Sequence, residues 1–563
     1  MIHVKNKVYP VSPNARLRWI VFTVVLFLFL PGSLFAQQEW ERDGGIPNAE
    51  IEIVKDRKIT LPPADRNFDK IPPRPVDPVK QDIVYDFKNL SFNTPDFNPV
   101  IRPLKLKQED ISKTFGTFVS AGFGNYASPY LEAYLNTKRD KNNFYGAHFF
   151  HQSFGTGPVD GKNSASGSTA LDLFGKSMTN SVVVSGNVNY ENRNTYFYGY
   201  LPGTEPVRST IYQNYNTISL SAGIENSKPA DFTYRLQASY SFLEDRYKAS
   251  ENETGLIFSS GYTLSEKSNV VLNADYFLIT RQDSMINYKA RNLFRIKPAY
   301  RFMPVDKLWL TLGANAAVEN DTIRKIKPVH LYPNVQADYL LSDAITAYAG
   351  LTGDMDKVSL HTLSQENIWV NSNLAIFHTN RSAEFLSGLK GRLGNKVAMG
   401  TGFSFAVLKN LYSFQNSSTD QSKFNVTYAN TTRTNFFGEL GFSPGEKVQL
   451  SLRGDYFSYS STQVLHRPKY RVAFNSSYNL YNKFLFSVDF IGQGGMKALE
   501  FVPMQSTVTI KPALDLNFKM DYFISRKVSA FIKLNNLLSN NYQVYLNYPV
   551  RGFQAVGGVS WSF

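Results

Sequence analysis

Arg551-Gly552-Phe553-Gln554-Ala555-Val556-Gly557-Gly558-Val559-Ser560-Trp561-Ser562-Phe563 is the stretch whose alternation decides the fold. In an extended strand Phe553, Ala555, Gly557, Val559, Trp561 and Phe563 share one face, and Gln554, Gly558, Ser560 and Ser562 share the other, with Val556 the one apolar exception. One face suits hydrocarbon and the other suits water. A final strand that ends on an aromatic residue reads as the closing strand of a transmembrane β-barrel, because such barrels alternate apolar-out with polar-in and carry aromatic girdles. The competing reading of these residues alone is the last strand of a soluble β-sandwich.

The other end of the chain weighs against the sandwich. Lys5, Lys7, Arg16 and Arg18 precede the apolar run from Trp19 to Leu30, and Pro31-Gly32-Ser33-Leu34-Phe35-Ala36 follows with a helix breaker and a small residue. Basic, apolar and small in that order make a secretory signal peptide over residues 1–36, with the mature chain starting at Gln37. The run is shorter than the roughly 20 residues of a spanning helix, and no later window is apolar enough to cross as one. Membrane residence therefore has to be as a barrel.

Composition agrees with an exported β-protein. The 563 residues include 33 Tyr and 43 Phe, 14% are aromatic, and mean hydropathy is slightly negative. A barrel hides its apolar half in alternation and looks soluble on average, whereas a helical membrane protein is far more apolar. The absence of cysteine excludes disulfides, thiolate metal sites, a Cys nucleophile and a lipid anchor on cysteine. The net charge of +14 belongs, in an exported chain, to a basic lumen or rim rather than to nucleic-acid binding.

Residues 37–113 show neither period, and prolines recur from Pro47 to Pro103. Proline withholds ladder hydrogen bonds and stiffens the backbone, so this is a proline-rich periplasmic leader or a reduced plug. From Thr114 onward the chain reads as strands. Val448, Leu450, Leu452, Gly454 and Tyr456 alternate with Gln449, Ser451, Arg453 and Asp455, and a charge such as Arg453 is ordinary in a wet lumen but costly in a dry core. Short polar or Pro/Gly breaks fall near Arg139-Asp140, Thr179-Asn180, Lys228-Pro229, Glu266-Lys267, Asp306-Lys307, Ser342-Asp343, Gly394-Asn395, Gly445-Glu446, Asn482-Lys483 and Ser525-Arg526. Ten tight turns with both chain ends on their side give eleven hairpins, an all-β, antiparallel, up-and-down closed barrel of about 22 strands over residues 114–563. Longer loops are expected opposite, at 155–167, 201–209, 244–255, 282–288, 319–327, 353–367, 410–423 and 492–506.

No catalytic constellation is legible. His148 and His151, three apart on a strand, point to opposite faces and cannot share a metal. There is no GxSxG, HExxH or phosphate loop. Asp354 and Asp356 lack a third carboxylate for a cation, and Asp275 and Asp455 read as partners in lumen charge networks. The expectation is no enzyme, no cofactor and no metal.

Leu534-Asn535-Asn536-Leu537-Leu538-Ser539-Asn540-Asn541-Tyr542, then Tyr548-Pro549-Val550-Arg551-Gly552-Phe553, then Gly557 to Phe563, resembles the final two strands of TonB-dependent outer-membrane receptors. Ser539 stands where the family usually has Asn or Asp. The resemblance assigns Tyr548, Pro549, Gly552, Phe553, Trp561 and Phe563 to a barrel-closure and assembly signal. It also implies a 22-stranded barrel closed by an amino-terminal plug, which imports scarce solutes by coupling to an energised periplasmic partner. Residues 37–113 depart from that pattern: they are short for a plug and lack its glycine-rich texture, and Ile51-Glu52-Ile53-Val54 is the nearest approach to a coupling box. Because a barrel this wide is an aqueous channel unless filled, the leader, inward-folded loops or a partner lipoprotein must gate it. The resulting expectation is an outer-membrane receptor or channel that passes or takes up a solute. The alternative is a non-transporting barrel subunit of an assembly or secretion complex. Expected partners are outer-membrane lipid, a periplasmic or surface lipoprotein, the barrel-assembly machinery and TonB, with no nucleic acid.

Overall fold

The computed structural model describes residues 115–563 except 139, 141 and 322–327. The signal peptide over 1–36, the leader over 37–113 and the segment Ile51 to Val54 lie outside the described residues. Besides two small two-stranded sheets in the connections, Lys497–Glu500 with Ser506–Thr509 and Gln543–Tyr545 with Tyr548–Pro549, the described residues form a 22-stranded antiparallel sheet in which each strand pairs with the next along the chain. The last, Gln554–Ser562, returns to pair with the first, Thr117–Gly124, from Phe118↔Ser562 to Gly124↔Val556. Closure leaves no sheet edge, which is what lets a β-structure cross hydrocarbon.

The final strand sorts its side chains as the alternation requires. Val559, Trp561 and Phe563 are exposed, whereas Gln554, Val556 and Ser560 are buried. Inside, Ser560 and Ser120 hydroxyls meet at 2.9 Å across the seam, and Val556 packs on Tyr130 and Phe531. The same rule holds around the wall. Leu452 and Tyr456 face out, while Arg453 reaches Glu439 at 2.6 Å and Asp455 at 2.8 Å on the inner side. A dry sandwich core would not hold that array, so the soluble alternative is overturned.

Nine of the ten anticipated tight turns lie wholly within the described residues, and each connects consecutive strands; of Arg139-Asp140 only Asp140 is described. At Tyr481-Asn482 both residues have positive φ, 55° and 54°, the backbone of a two-residue hairpin turn that matches strand twist and that asparagine tolerates. The opposite side departs from expectation in three places. Residues 244–255 are not a long loop, because Phe232–Asp245 and Ser250–Ser265 run almost to the tip. There the Asp245 carboxylate accepts from the amides of Tyr247 and Ala249, both at 2.8 Å, and replaces a longer connection. The strand Val397–Asn416 continues through the anticipated loop start, absorbing a bulge at Leu408/Leu411 with Asn410 at φ 54°. The connections 460–469 and 536–553 were not anticipated as long loops. Of the stretch from Leu534 to Phe553, only Leu534 and Asn535 belong to a barrel strand.

Candidate functional site

On the long-loop side the connections pack against one another and against strand ends around a buried hydrophobic cluster, a lid. Its centre is the connection 357–378. The helix Leu360–Glu366 starts there because Ser359 Oγ accepts from Thr362 N at 3.2 Å and the Glu251 carboxylate accepts from the amides of Leu360 and His361, each at 2.8 Å. Capping satisfies donors that burial would otherwise strand. Leu360 and Leu363, three apart, then turn one helix face into the core.

After the helix, Asn367 Oδ1 accepts from Trp369 N at 2.9 Å, and Phe424 N donates to Trp369 O at 3.0 Å. The Trp369 ring lies 4.0 Å from that of Tyr548, with Tyr198 at 5.6 Å and Tyr545 at 6.1 Å, while Nε1 donates to Tyr196 O at 3.0 Å. Phe414 and Phe424 complete the cluster. Buried aromatic groups of this size dominate local packing energy.

Wall residues fasten the loop around its perimeter. Arg193 donates to Ser364 O at 3.1 Å, Arg281 to Leu374 O, and Tyr428 OH to Ala375 O at 3.0 Å, while Asp283 accepts from Asn373 N at 2.8 Å. The two stems meet at one ion pair. Arg291 binds Asp321 at 2.7 and 3.1 Å and donates to Val358 O at 2.9 Å; Asp321 also accepts from His378 N at 2.6 Å. Val358 N donates to His378 Nδ1 at 3.1 Å, so the loop leaves and re-enters the wall at adjacent points.

The connection 536–553 holds the lid from the other side. Tyr545 OH donates to Glu366 O at 3.0 Å, Tyr548 OH donates to Ser422 O, and the Tyr548 ring sits against Gly199, where a Cβ would lie 2.3 Å from it. Arg551 donates to Thr156 O and Ser164 O, both at 3.1 Å, and to Ser166 Oγ at 2.9 Å. His466 joins two loops to the wall: its Nδ1 pairs with Phe414 O at 2.7 Å and its Nε2 accepts from Leu546 N at 3.3 Å. Burial pushes this imidazole down to about 4, and it raises the phenols of Tyr545 and Tyr548 well above their ordinary range.

Below the lid the inner wall carries ion pairs. Asp275 binds Arg295 at 2.6 Å, Arg295 lies 3.5 Å from Asp354, and Lys297 also binds Asp354. Arg381 bridges Asp356 at 3.4 Å and Glu384 at 2.7 Å, and Arg433 joins Glu384 at 2.9 Å. Asp275 and Asp455 are thus partners in lumen networks, and Asp354 and Asp356 are each neutralised by a cation. The inner wall mixes both signs rather than being simply basic. His148 lies inside between Glu132 and Asp172, 3.3 Å from each, while His151 bonds Thr169 at 2.8 Å. His330 sits on Glu319 at 3.1 Å. Among the described residues no group of three metal-ligating side chains comes together.

The residues assigned to barrel closure and assembly separate into two places. Trp561 and Phe563, ring centroids 4.7 Å apart, stand outward beside the short-turn end of the seam. Tyr548, Pro549 and Gly552 lie in the 536–553 connection at the opposite end, with Phe553 just before the final strand. Trp369, Tyr545 and His466 escaped the sequence reading. Their neighbours are remote in the chain, and a lone aromatic in a polar loop carries no period.

A closed barrel with polar, charged inner walls, an apolar outer belt and loops packed together on one side has the architecture of a transmembrane β-barrel. No protein-family model and no curated protein matches the sequence. Solved structures do match in fold. The pyoverdine outer membrane receptor FpvA of Pseudomonas aeruginosa is 12% identical with a TM-score of 0.61, over 80% of this chain and 79% of that one. The ferric-catecholate import receptor Fiu of E. coli K12 is 10% identical with a TM-score of 0.61, over 80% and 82%. The siderophore receptor PirA of Acinetobacter baumannii is 12% identical with a TM-score of 0.60, over 80% and 81%. The fold is therefore that of siderophore receptor barrels, as the resemblance at the carboxyl end implies.

Proposed function

We propose that the protein is an outer-membrane receptor barrel that passes a solute through a lumen closed from outside by its own loops. The observation that supports this reading is the lid: a 22-stranded barrel is wide enough to conduct unless filled, and the 357–378 loop packs into a buried core with other loops and strand ends. The fold likeness to siderophore receptors supports a solute-uptake role. Energisation by TonB, delivery by the barrel-assembly machinery and an assembly role for Tyr548, Pro549, Gly552, Phe553, Trp561 and Phe563 enter this proposal on the resemblance, and a periplasmic or surface lipoprotein partner on the need to fill so wide a lumen. The signal peptide over 1–36 and the leader or reduced plug over 37–113 enter it on the sequence pattern.

The perimeter bonding favours a second reading. A lid fastened by Glu251, Arg281, Arg291 and Asp321 suits a permanently shut barrel that serves as a subunit of an assembly or secretion complex. Conductance separates the two. Because Val358 and His378 are adjacent, residues 359–377 can be replaced by a short Gly/Ser linker without stretching the wall. Full chain and loop-replaced chain, each with and without residues 37–113, are reconstituted in planar bilayers. Gating by the lid requires conductance to rise on loop replacement once residues 37–113 are absent. No rise in that background refutes a lid-gated pore and leaves the scaffold.

A further inference from the structure

The strands that flank the closing seam are the shortest in the barrel. Thr117–Gly124 and Val528–Asn535 have 8 residues each, and Ser128–Asn136 and Gln554–Ser562 have 9. The remaining barrel strands run from 11 residues, as in Tyr470–Leu480, to 22 in Phe424–Gly445. At about 3.4 Å per residue and a tilt of about 40°, eight residues rise only about 21 Å, against an apolar band of about 25 Å in barrels of this kind.

Exposed apolar side chains stand at and just beyond these strand tops. Phe123, at the end of the first strand, is 63% exposed, Leu538 is 51% exposed, and Leu537 and Phe553 are also open. Leu537 N donates to Leu516 O at 2.8 Å, which seats this pair of leucines on the strand Ala513–Phe523. Two of these residues continue the hydrocarbon-facing rows: Phe553 shares a face with Val559 and Trp561, and Phe123 pairs across the seam with Gly557, while Leu537 and Leu538 follow directly on the strand Val528–Asn535. We propose that Phe123, Leu537, Leu538 and Phe553 insert among outer-leaflet acyl chains and complete the apolar belt where the wall is too low. The occupant is lipid because the surface has no border with the lipid-facing wall that would mark a separate protein interface. The connection 536–553 is thereby anchored in the membrane at its start, while its Tyr545 and Tyr548 hold the lid.

This rests on the membrane reading of the barrel, and one experiment separates the two. The chain has no cysteine, so Leu538→Cys, Val559→Cys and Met504→Cys each place one bimane label on the full protein in phospholipid vesicles. The vesicles carry doxyl lipids with the spin label near the headgroup or in mid-chain. Met504, 76% exposed on the 495–512 connection, is the aqueous control. The expected result is quenching at Leu538 by the shallow doxyl lipid several-fold above that at Met504, with Val559 quenched as well. Quenching at Val559 with none at Leu538 overturns the inference and leaves the barrel reading intact. No quenching at either position overturns the membrane reading itself. Leu538→Asp should also speed hydrogen exchange at the Leu546 amide at least tenfold with the barrel amides unchanged; no change there overturns the coupling of lipid to lid.

Discussion

Replacing Trp369 by alanine tests whether the lid is a packed unit. The residue is 4% exposed, its ring lies tilted 4.0 Å from that of Tyr548, and its Nε1 donates to Tyr196 O. Truncating a buried aromatic of this size costs about 3 to 5 kcal/mol, and the orphaned Tyr196 carbonyl keeps the value from the low end. Apart from Tyr196, at the very end of the strand Val182–Tyr196, the ring's partners Tyr198, Tyr545 and Tyr548 lie in connections, so the loss falls on opening of the lid rather than on global unfolding. A change of about 4 kcal/mol raises the open population by about a thousandfold. Hydrogen exchange by mass spectrometry on the detergent-solubilised protein reads it directly. The amides of Leu363, Asn367 and Phe424, which donate to Ser359 O, Leu363 O and Trp369 O, should exchange about three decades faster, while seam amides such as Thr117 and Phe563 should not move. Unchanged exchange at the three lid amides refutes the argument that this core holds the mouth shut, and equal acceleration at the seam refutes its independence from the wall.

Acid should loosen the same lid through His466. Its imidazole is held neutral by burial, with an ordinary value of 6.5 and a folded value of about 4. Its contribution is therefore complete above pH 6.5 and falls away as pH drops toward about 4, a loss of about 3 kcal/mol. Proteolysis of the 460–469 and 536–553 loops should rise across that window, and His466→Gln should flatten the rise. Arg291→Ala leaves Asp321 buried without its cation and should cost about 3 to 5 kcal/mol locally, seen as faster exchange at the Val358 and His378 amides. Val559→Arg, on the lipid face, should weaken folding into vesicles by about 2 to 4 kcal/mol in denaturant titration if it lies near mid-membrane.

The alternation from Phe553 to Phe563 and the ten polar breaks were enough to specify strands, turns and closure, because a strand facing hydrocarbon on one side and water on the other must repeat every second residue. Arg453 among apolar neighbours likewise betrayed a wet interior before any coordinate was known. The lid was not legible. Trp369, Tyr548 and His466 come from three separate connections and Phe424 from the first position of the strand Phe424–Gly445, and none has a local pattern that favours burial. They are buried because the barrel brings its long loops over one opening, where the apolar side chains can leave water only by packing on one another. The short strands at the seam could be counted only once their ends were set by neighbours, since hydrogen bonding across the sheet, and not the local sequence, decides where a strand stops.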